Sequence, residues 1–380
     1  MVSRRTPRST GPGSRCSLRP VTVSVGQTSV RHEAMITRDL PRSERSACWG
    51  RTVVTSTVTL LAAAAAFLLA WSVAVEAQQA AKIYRIGVVS PISPGPTIQA
   101  FRQGLGDLGY VEGKNVIVET RFAEGRTERL PGLVAEMIRL KVDVLVIGST
   151  VGTLAAKKAT TTVPIVFAGL IDPVGPGIVA SFARPGGNIT GVTFGIGGAG
   201  FAGKWVELLK ETAPDVSHVT ALWNSANPAH APMVQEIEAA ARTLNVRLDI
   251  LDAGNLTKLD RALAAIGAGG ARGIIVTPDP FFVANRAQLV QFAAGKRLVA
   301  VYFTKDFVDA GGLMSYGSSI AESYRRAATY VDKILKGAKP ADLPIDQPTR
   351  FELVINVRAA RALRLTIPQS LLVRADQVLE

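Results

Sequence analysis

Residues 195–205 read GIGGAGFAGKW, and two nucleotide chemistries share those glycines. Gly195-x-Gly197-x-x-Gly200 has the spacing of a dinucleotide-binding loop, where glycines let the backbone approach a pyrophosphate. Gly198-x-x-x-x-Gly203-Lys204 has the spacing of a P-loop. Each motif fails at its chemical end. A P-loop needs a Ser or Thr hydroxyl after the lysine to hold magnesium, and this chain has Trp205. A dinucleotide loop needs a carboxylate at the tip of the next strand for the ribose hydroxyls, and that tip is Trp223-Asn224-Ser225. The loop also sits mid-chain rather than in a first strand–helix unit. The glycines therefore read as a crossover between lobes, with no nucleotide and no other cofactor bound.

The other polar residues of interest fall at the ends of expected strands. Ser90-Pro91-Ile92 and Asn224 to Asn227 follow the first strand of each half. Gly148-Ser149-Thr150 and Thr277-Pro278-Asp279 follow the third; Ala168-Gly169 with Asp172, and Thr304-Lys305-Asp306, follow the fourth. Hydroxyls, amides and a few carboxylates suit hydrogen bonding to a small polar solute. They do not suit catalysis, because no GxSxG elbow is present and neither His218 nor His230 has a serine partner in these loops. His230 follows Asn227-Pro228 and reads as exposed at a helix start. Two histidines without Cys or an HExxH spacing make no metal site. Plainer readings stand beside the binding one. Ser149-Thr150 could cap a helix. Asp172-Pro173 and Asp279-Pro280 could be turn chemistry. Tyr316 could be core, or a ring closing over a ligand.

Two similar halves position these loops. Apolar runs at 83–89, 115–120, 142–147 and 163–167 alternate with helical patterns, such as Ile98, Phe101, Leu105 and Leu108 on one face. The pattern restarts with runs at 219–223, 246–251, 273–277 and 298–303. Continuous Val/Ile/Leu strands separated by helices imply parallel sheets covered on both faces. The expected fold is α/β, with two doubly wound parallel-sheet lobes joined by a hinge of several crossovers. Between the halves, residues 185–203 are rich in glycine. A further strand at 312–315 and an amphipathic helix from Glu322 to Leu335, stopped by Gly337, exceed what the second lobe needs. The chain is expected to recross there. Lobe 1 then takes 78–192 with 318–345, and lobe 2 takes 193–317 with 346–380.

The leader has its own composition. Residues 1–77 hold ten Arg and four acids, so they carry +6 of the total +13 and leave +7 for the rest, spread without clusters. A basic stripe interleaved with aromatics is absent, which argues against nucleic acid. Both cysteines, Cys16 and Cys48, lie in the leader, so no disulfide or Cys metal site follows residue 77. Thr52 to Val75 is uncharged, with LLAAAAAFLLAW as its apolar core, and Val75-Glu76-Ala77 ends in small residues at −3 and −1. That order reads as a secretory signal cleaved after Ala77, with Met35 as an alternative translation start. The competing reading is a retained membrane anchor.

Several blocks together resemble the solute-binding components of ABC transporters, in the type I group whose studied members bind aromatic amino acids. They are GLGDLGYVEGKNVIVE (104–119), DVLVIGST (143–150), PIVFAGLIDPVGPGIVASFARPGGNITGVT (164–193), AGGLMSYG (310–317) and the C-terminal 334–368. The resemblance covers about residues 82–380. It implies a type I periplasmic-binding-protein-like fold, no enzymatic activity, a monomeric periplasmic protein and delivery of a small solute to a membrane permease. It implies ligand-facing positions at Ser90, Ser149, Thr150, Asp172, Asn224, Asp279 and Tyr316. Ser149 and Thr150 would take an α-carboxylate, and Asp279 or Asp172 an ammonium. One departure is Leu363-Arg364, where family members often have Leu-Gly. The rivals to this reading are a nucleotide-dependent enzyme using 195–205 and a membrane-anchored sensory receptor.

Overall fold

The computed structural model describes residues 19–21, 32–34, 82–195 and 201–380. The chain divides into two units, 1–80 and 81–380. In the first, strands β1 (Arg19–Val21) and β2 (His32–Ala34) pair antiparallel. The apolar segment 60–71, the cleavage position after Ala77, and Gly197, Gly198 and Gly200 lie outside the described residues.

The second unit begins with β3 (Tyr84–Ser90), α1 (Pro96–Asp107), β4 (Val116–Phe122) and α2 (Leu130–Arg139). It continues through β5 (Val144–Ile147), α3 (Thr150–Ala159), β6 (Ile165–Leu170) and β7 (Ile189–Thr193). These strands form one parallel sheet in the order β4-β3-β5-β6-β7. Alternation along β5 sends Val144 and Val146 to one face and Leu145 and Ile147 to the other. The first pair packs with Ile98, Phe101 and Leu105 of α1. The second packs with Leu130, Val134 and Met137 of α2. Both faces are thus covered, which is why β5 is apolar throughout. Each such buried side chain contributes about 1.5–3 kcal/mol relative to exposure.

The next elements are α4 (Gly203–Thr212), β8 (His218–Trp223), α5 (His230–Thr243), β9 (Arg247–Asp252), α6 (Leu256–Gly269) and β10 (Gly273–Val276). Then come α7 (Pro280–Ala284), α8 (Arg286–Gly295), β11 (Val299–Tyr302), α9 (Lys305–Asp309) and β12 (Met314–Gly317). Helix α10 (Ile320–Leu335) precedes β13 (Glu352–Asn356), α11 (Val357–Ala362), α12 (Gln369–Arg374) and β14 (Gln377–Leu379). The second sheet runs β14-β13-β12-β11-β10-β8-β9, parallel except between β12 and β13.

The sheets differ from four expected strands each. The run 189–193, read as part of the glycine-rich crossover, is instead the fifth strand of the first sheet. Its Gly191 is required there: a Cβ would stand 2.1 Å from the Phe167 carbonyl oxygen, and φ is +153°. The strand near 312–315 stays in the second sheet, and β13 and β14 extend that sheet further. Helix α10 packs on α1 and the first sheet. It starts at an N-cap, with Ser319 Oγ accepting from Glu322 N at 3.2 Å.

The chain passes between the sheets three times, after β7, after β12 and after α10. The passages touch. Ser318 Oγ donates to the Phe194 carbonyl at 2.5 Å, and Thr193 N donates to the Asp346 carbonyl at 2.8 Å.

Candidate functional site

In strand order, each sheet begins by stepping outward once and then back past its first strand, so a switch point falls between β3 and β5 and another between β8 and β10. Loops leave the carboxyl ends of those strands in opposite directions and open a crevice. The two crevices line one cavity of ≈ 60 Å³, with Ile92, Ser149 and Thr150 from the first sheet and Asn227, Pro278 and Asp279 from the second. Phe194, Phe303, Ile171 and Ile320 supply apolar wall. The cavity is small beside the several hundred Å³ of pockets for drug-sized molecules.

One end of the cavity is positive in character. Ser149 is the N-cap of α3: its Oγ accepts from Gly152 N at 3.1 Å, which leaves its own O–H free to donate. The first N–H groups of a ten-residue helix begin beside it, at Thr150. Free N–H groups and the helix dipole favour an anion there.

The other end is negative. Asp279 is 2% exposed. Its Oδ2 accepts from Asn224 Nδ2 at 3.2 Å and Asn227 Nδ2 at 3.0 Å, and its Oδ1 accepts from Phe281 N at 2.9 Å. His230 Nε2 lies 3.6 Å from Oδ2. The imidazole does not neutralise the carboxylate. Its Nδ1 accepts from Asn224 N at 3.0 Å, so the ring proton sits on Nε2 and is given to the Pro278 carbonyl at 2.9 Å. Burial holds the His230 pKa below the ordinary imidazole value, against the raising effect of Asp279. Among the described residues no Lys or Arg pairs with Asp279. A buried carboxylate with amide donors and no cation is stabilised by an incoming cation.

The structure sorts the expected site residues into three groups. Ser149, Thr150 and Asp279 line the cavity. Ser90 and Asn224 stand behind it. Ser90 Oγ donates to the Ile92 carbonyl at 3.0 Å, while Asn224 braces Asp279. Asp172 and Tyr316 lie elsewhere. Asp172 Oδ1 accepts from Val174 N and Gly175 N, which is turn chemistry. Tyr316 stacks on Phe351 at 5.7 Å and packs near Phe201, and its carbonyl accepts from Trp205 Nε1 at 2.8 Å.

His230, read as exposed, is fully buried. It lies one turn beyond Asn227-Pro228, where only the tertiary fold brings Pro278 over it. Asn227 was visible as a loop amide but not as a ligand to Asp279. Tyr324 reads from sequence as one more apolar-face residue of α10. In the fold its hydroxyl lies against Gly148, where a Cβ would stand 1.8 Å from Oη, and burial pushes its pKa up to about 12. Around the nucleotide-like loop, Trp205 is fully buried and Lys204 pairs with Glu207 at 2.5 Å.

Against known proteins, the sequence matches the family described as "ABC transporter substrate binding protein" over residues 85–379. The chain belongs to that family. This binding protein is 22% identical to the "Tyrosine-binding protein" of Clostridioides difficile (strain R20291) over 266 residues, which is 70% of this chain and 75% of that one. A Streptococcus pneumoniae ABC domain in complex with L-Trp superposes with a TM-score of 0.73 at 24% identity, covering 78% of this chain and all of that one. A conserved domain protein from Vibrio cholerae superposes with a TM-score of 0.72 at 27% identity, with the same coverage. The binding protein has the type I periplasmic binding fold, with mixed α/β lobes built on parallel sheets.

Proposed function

We propose that this binding protein is the extracytoplasmic, non-enzymatic component of an ABC importer, and that it closes on an amino-acid zwitterion with an apolar side chain. The observation that carries the reading is the pairing of opposite characters in one cavity. The start of α3 meets an α-carboxylate, Asp279 meets the ammonium, and Ile92, Phe194 and Phe303 meet the side chain. The names of its relatives put tyrosine and tryptophan first among ligands to test. Lobe 1 is residues 78–192 with 318–345, and lobe 2 is 193–317 with 346–380. They move as bodies about the three passages near 194, 318 and 346. A ligand touching both lobes only when they are closed stabilises that state, and a permease then recognises the loaded monomer. Residues 1–77 are a leader removed after Ala77.

The test is thermal unfolding of protein refolded from denaturant, which removes co-purified solute, screened against the amino acids, sugars, NAD and ATP. An amino acid at about 100 times its Kd adds roughly 2.7 kcal/mol and raises Tm by several degrees. A shift with a nucleotide and none with any amino acid would return the glycine loop at 195–205 to the position of a nucleotide site.

A further inference from the structure

A second cavity, of ≈ 460 Å³, opens in the second lobe between α8, α11 and one face of the sheet. It lies away from the cleft. Arg297 and Leu298 precede β11 and Leu313 precedes β12, so the cavity is reached from the strand ends opposite those that line the amino-acid site. Its floor is apolar for a reason legible in the alternation of β11, which puts Leu298, Ala300 and Tyr302 on one face. Val290 and Ala293 of α8 close one side. Small side chains at Ala293, Ala300 and Ala359 leave the space open.

The polar side chains at the rim of this cavity, Arg297, Arg358 and Asn356, can all donate. Arg297 makes no ion pair among the described residues, and the recorded contact of Arg358 is a long one, 3.4 Å to the Glu380 main-chain oxygen. Asn356 uses its Oδ1 to cap α11, accepting from Ala359 N at 2.9 Å, which leaves its Nδ2 available. Tyr302 is 1% exposed and its Oη has no hydrogen-bond partner. Burial raises the pKa of that phenol, so it stays an O–H donor. No carboxylate side chain lines the cavity. Arg297 has no acidic partner among the described residues and Arg358 only the long contact with the chain-terminal oxygen of Glu380, so an anion at the rim of the cavity would find both guanidiniums in its lining.

We propose that this cavity binds an apolar monocarboxylate of the medium-chain fatty acid type, with its carboxylate at Arg297 and Arg358 and its hydrocarbon over Ala300. An inorganic anion would leave the apolar floor unfilled, and a neutral hydrocarbon would make no use of the two guanidiniums. The site is independent of the cleft and its ligand.

Isothermal titration of the full-length protein with octanoate tests it, with octanol and octyltrimethylammonium as controls. Octanoate binds one to one, and the two controls bind at least tenfold more weakly. Replacing both exposed arginines, Arg297→Gln with Arg358→Gln, weakens octanoate about tenfold or more. Ala300→Leu fills the floor and removes binding. Asp279→Asn leaves octanoate binding as it was, which separates this site from the cleft. Absence of octanoate binding would overturn the proposal, as would unchanged affinity in the double arginine variant or loss of affinity in Asp279→Asn. Should Ala300→Leu fail to fold, the surface arginine pair still decides the matter.

Discussion

At the residue scale, His230 links the site to stability. Its neutral ring fixes Asn224 and Pro278, and burial lowers its pKa from 6.5 in the folded protein. As pH falls, the unfolded chain therefore takes up this proton first. The stability tied to His230 is complete above about pH 6.5 and is lost progressively below it. Unfolding followed from pH 7.5 to pH 5 should show Tm falling, and His230→Gln should flatten that slope. Arg364 offers a second prediction. It stands at φ +60°, a left-handed conformation that costs a side-chain-bearing residue about 1–2 kcal/mol. Glycine adopts that conformation without the steric cost. Arg364→Gly should raise stability by about 0.5–1 kcal/mol, read from denaturant unfolding, once the greater chain entropy of glycine is subtracted. A loss of stability would mean that the Arg364 side chain makes contacts outweighing its strain.

At the element scale, the cleft depends on how α10 meets the β5–α3 turn. Tyr324 reaches across from α10 to Gly148, and there is no room for a Cβ between them. Gly148→Ala should destabilise by about 1–3 kcal/mol through overpacking. Tyr324→Leu in the same chain should recover part of that loss, a coupling measurable in a double-mutant cycle. Strict additivity of the two changes would contradict the contact. This contact also shows why sequence reading found the elements more readily than the site. Period and composition mark β5 as buried on both sides and α10 as amphipathic, because those are local signals. That Tyr324 belongs to Gly148, or Asn227 to Asp279, depends on pairings of residues 52 or more apart in the chain. Ser149 and Asp279 were legible because a cap and a strand end coincide at each. Asp172 and Tyr316 also follow or end strands, but one folds back on its own turn and the other joins the cluster of Phe201 and Phe351. The second sheet's last strands escaped for a related reason: β13 follows a crossover and pairs antiparallel, outside the strand–helix alternation, and β14 has only three residues.

At the scale of the whole molecule, three passages tie two sheets whose switch points face each other. That arrangement brings loops from both sheets to one cavity, and on the proposed function ligand uptake is a change in the distance between the sheets. On the proposed function, the helix end at Ser149 and the carboxylate of Asp279 select a zwitterion. The most direct measurement is titration calorimetry of refolded protein with the amino acid that gives the largest thermal shift, beside its analogue lacking the α-amino group. Each is run on the native protein and on Asp279→Asn. The account predicts that loss of the amine weakens binding to the native protein by about tenfold to a hundredfold, the range for a hydrogen bond to a charged group. It predicts that Asp279→Asn weakens the amino acid similarly and the analogue little. Equal affinity of the native protein for both compounds would contradict it, because the buried carboxylate would then have no part in holding the ligand.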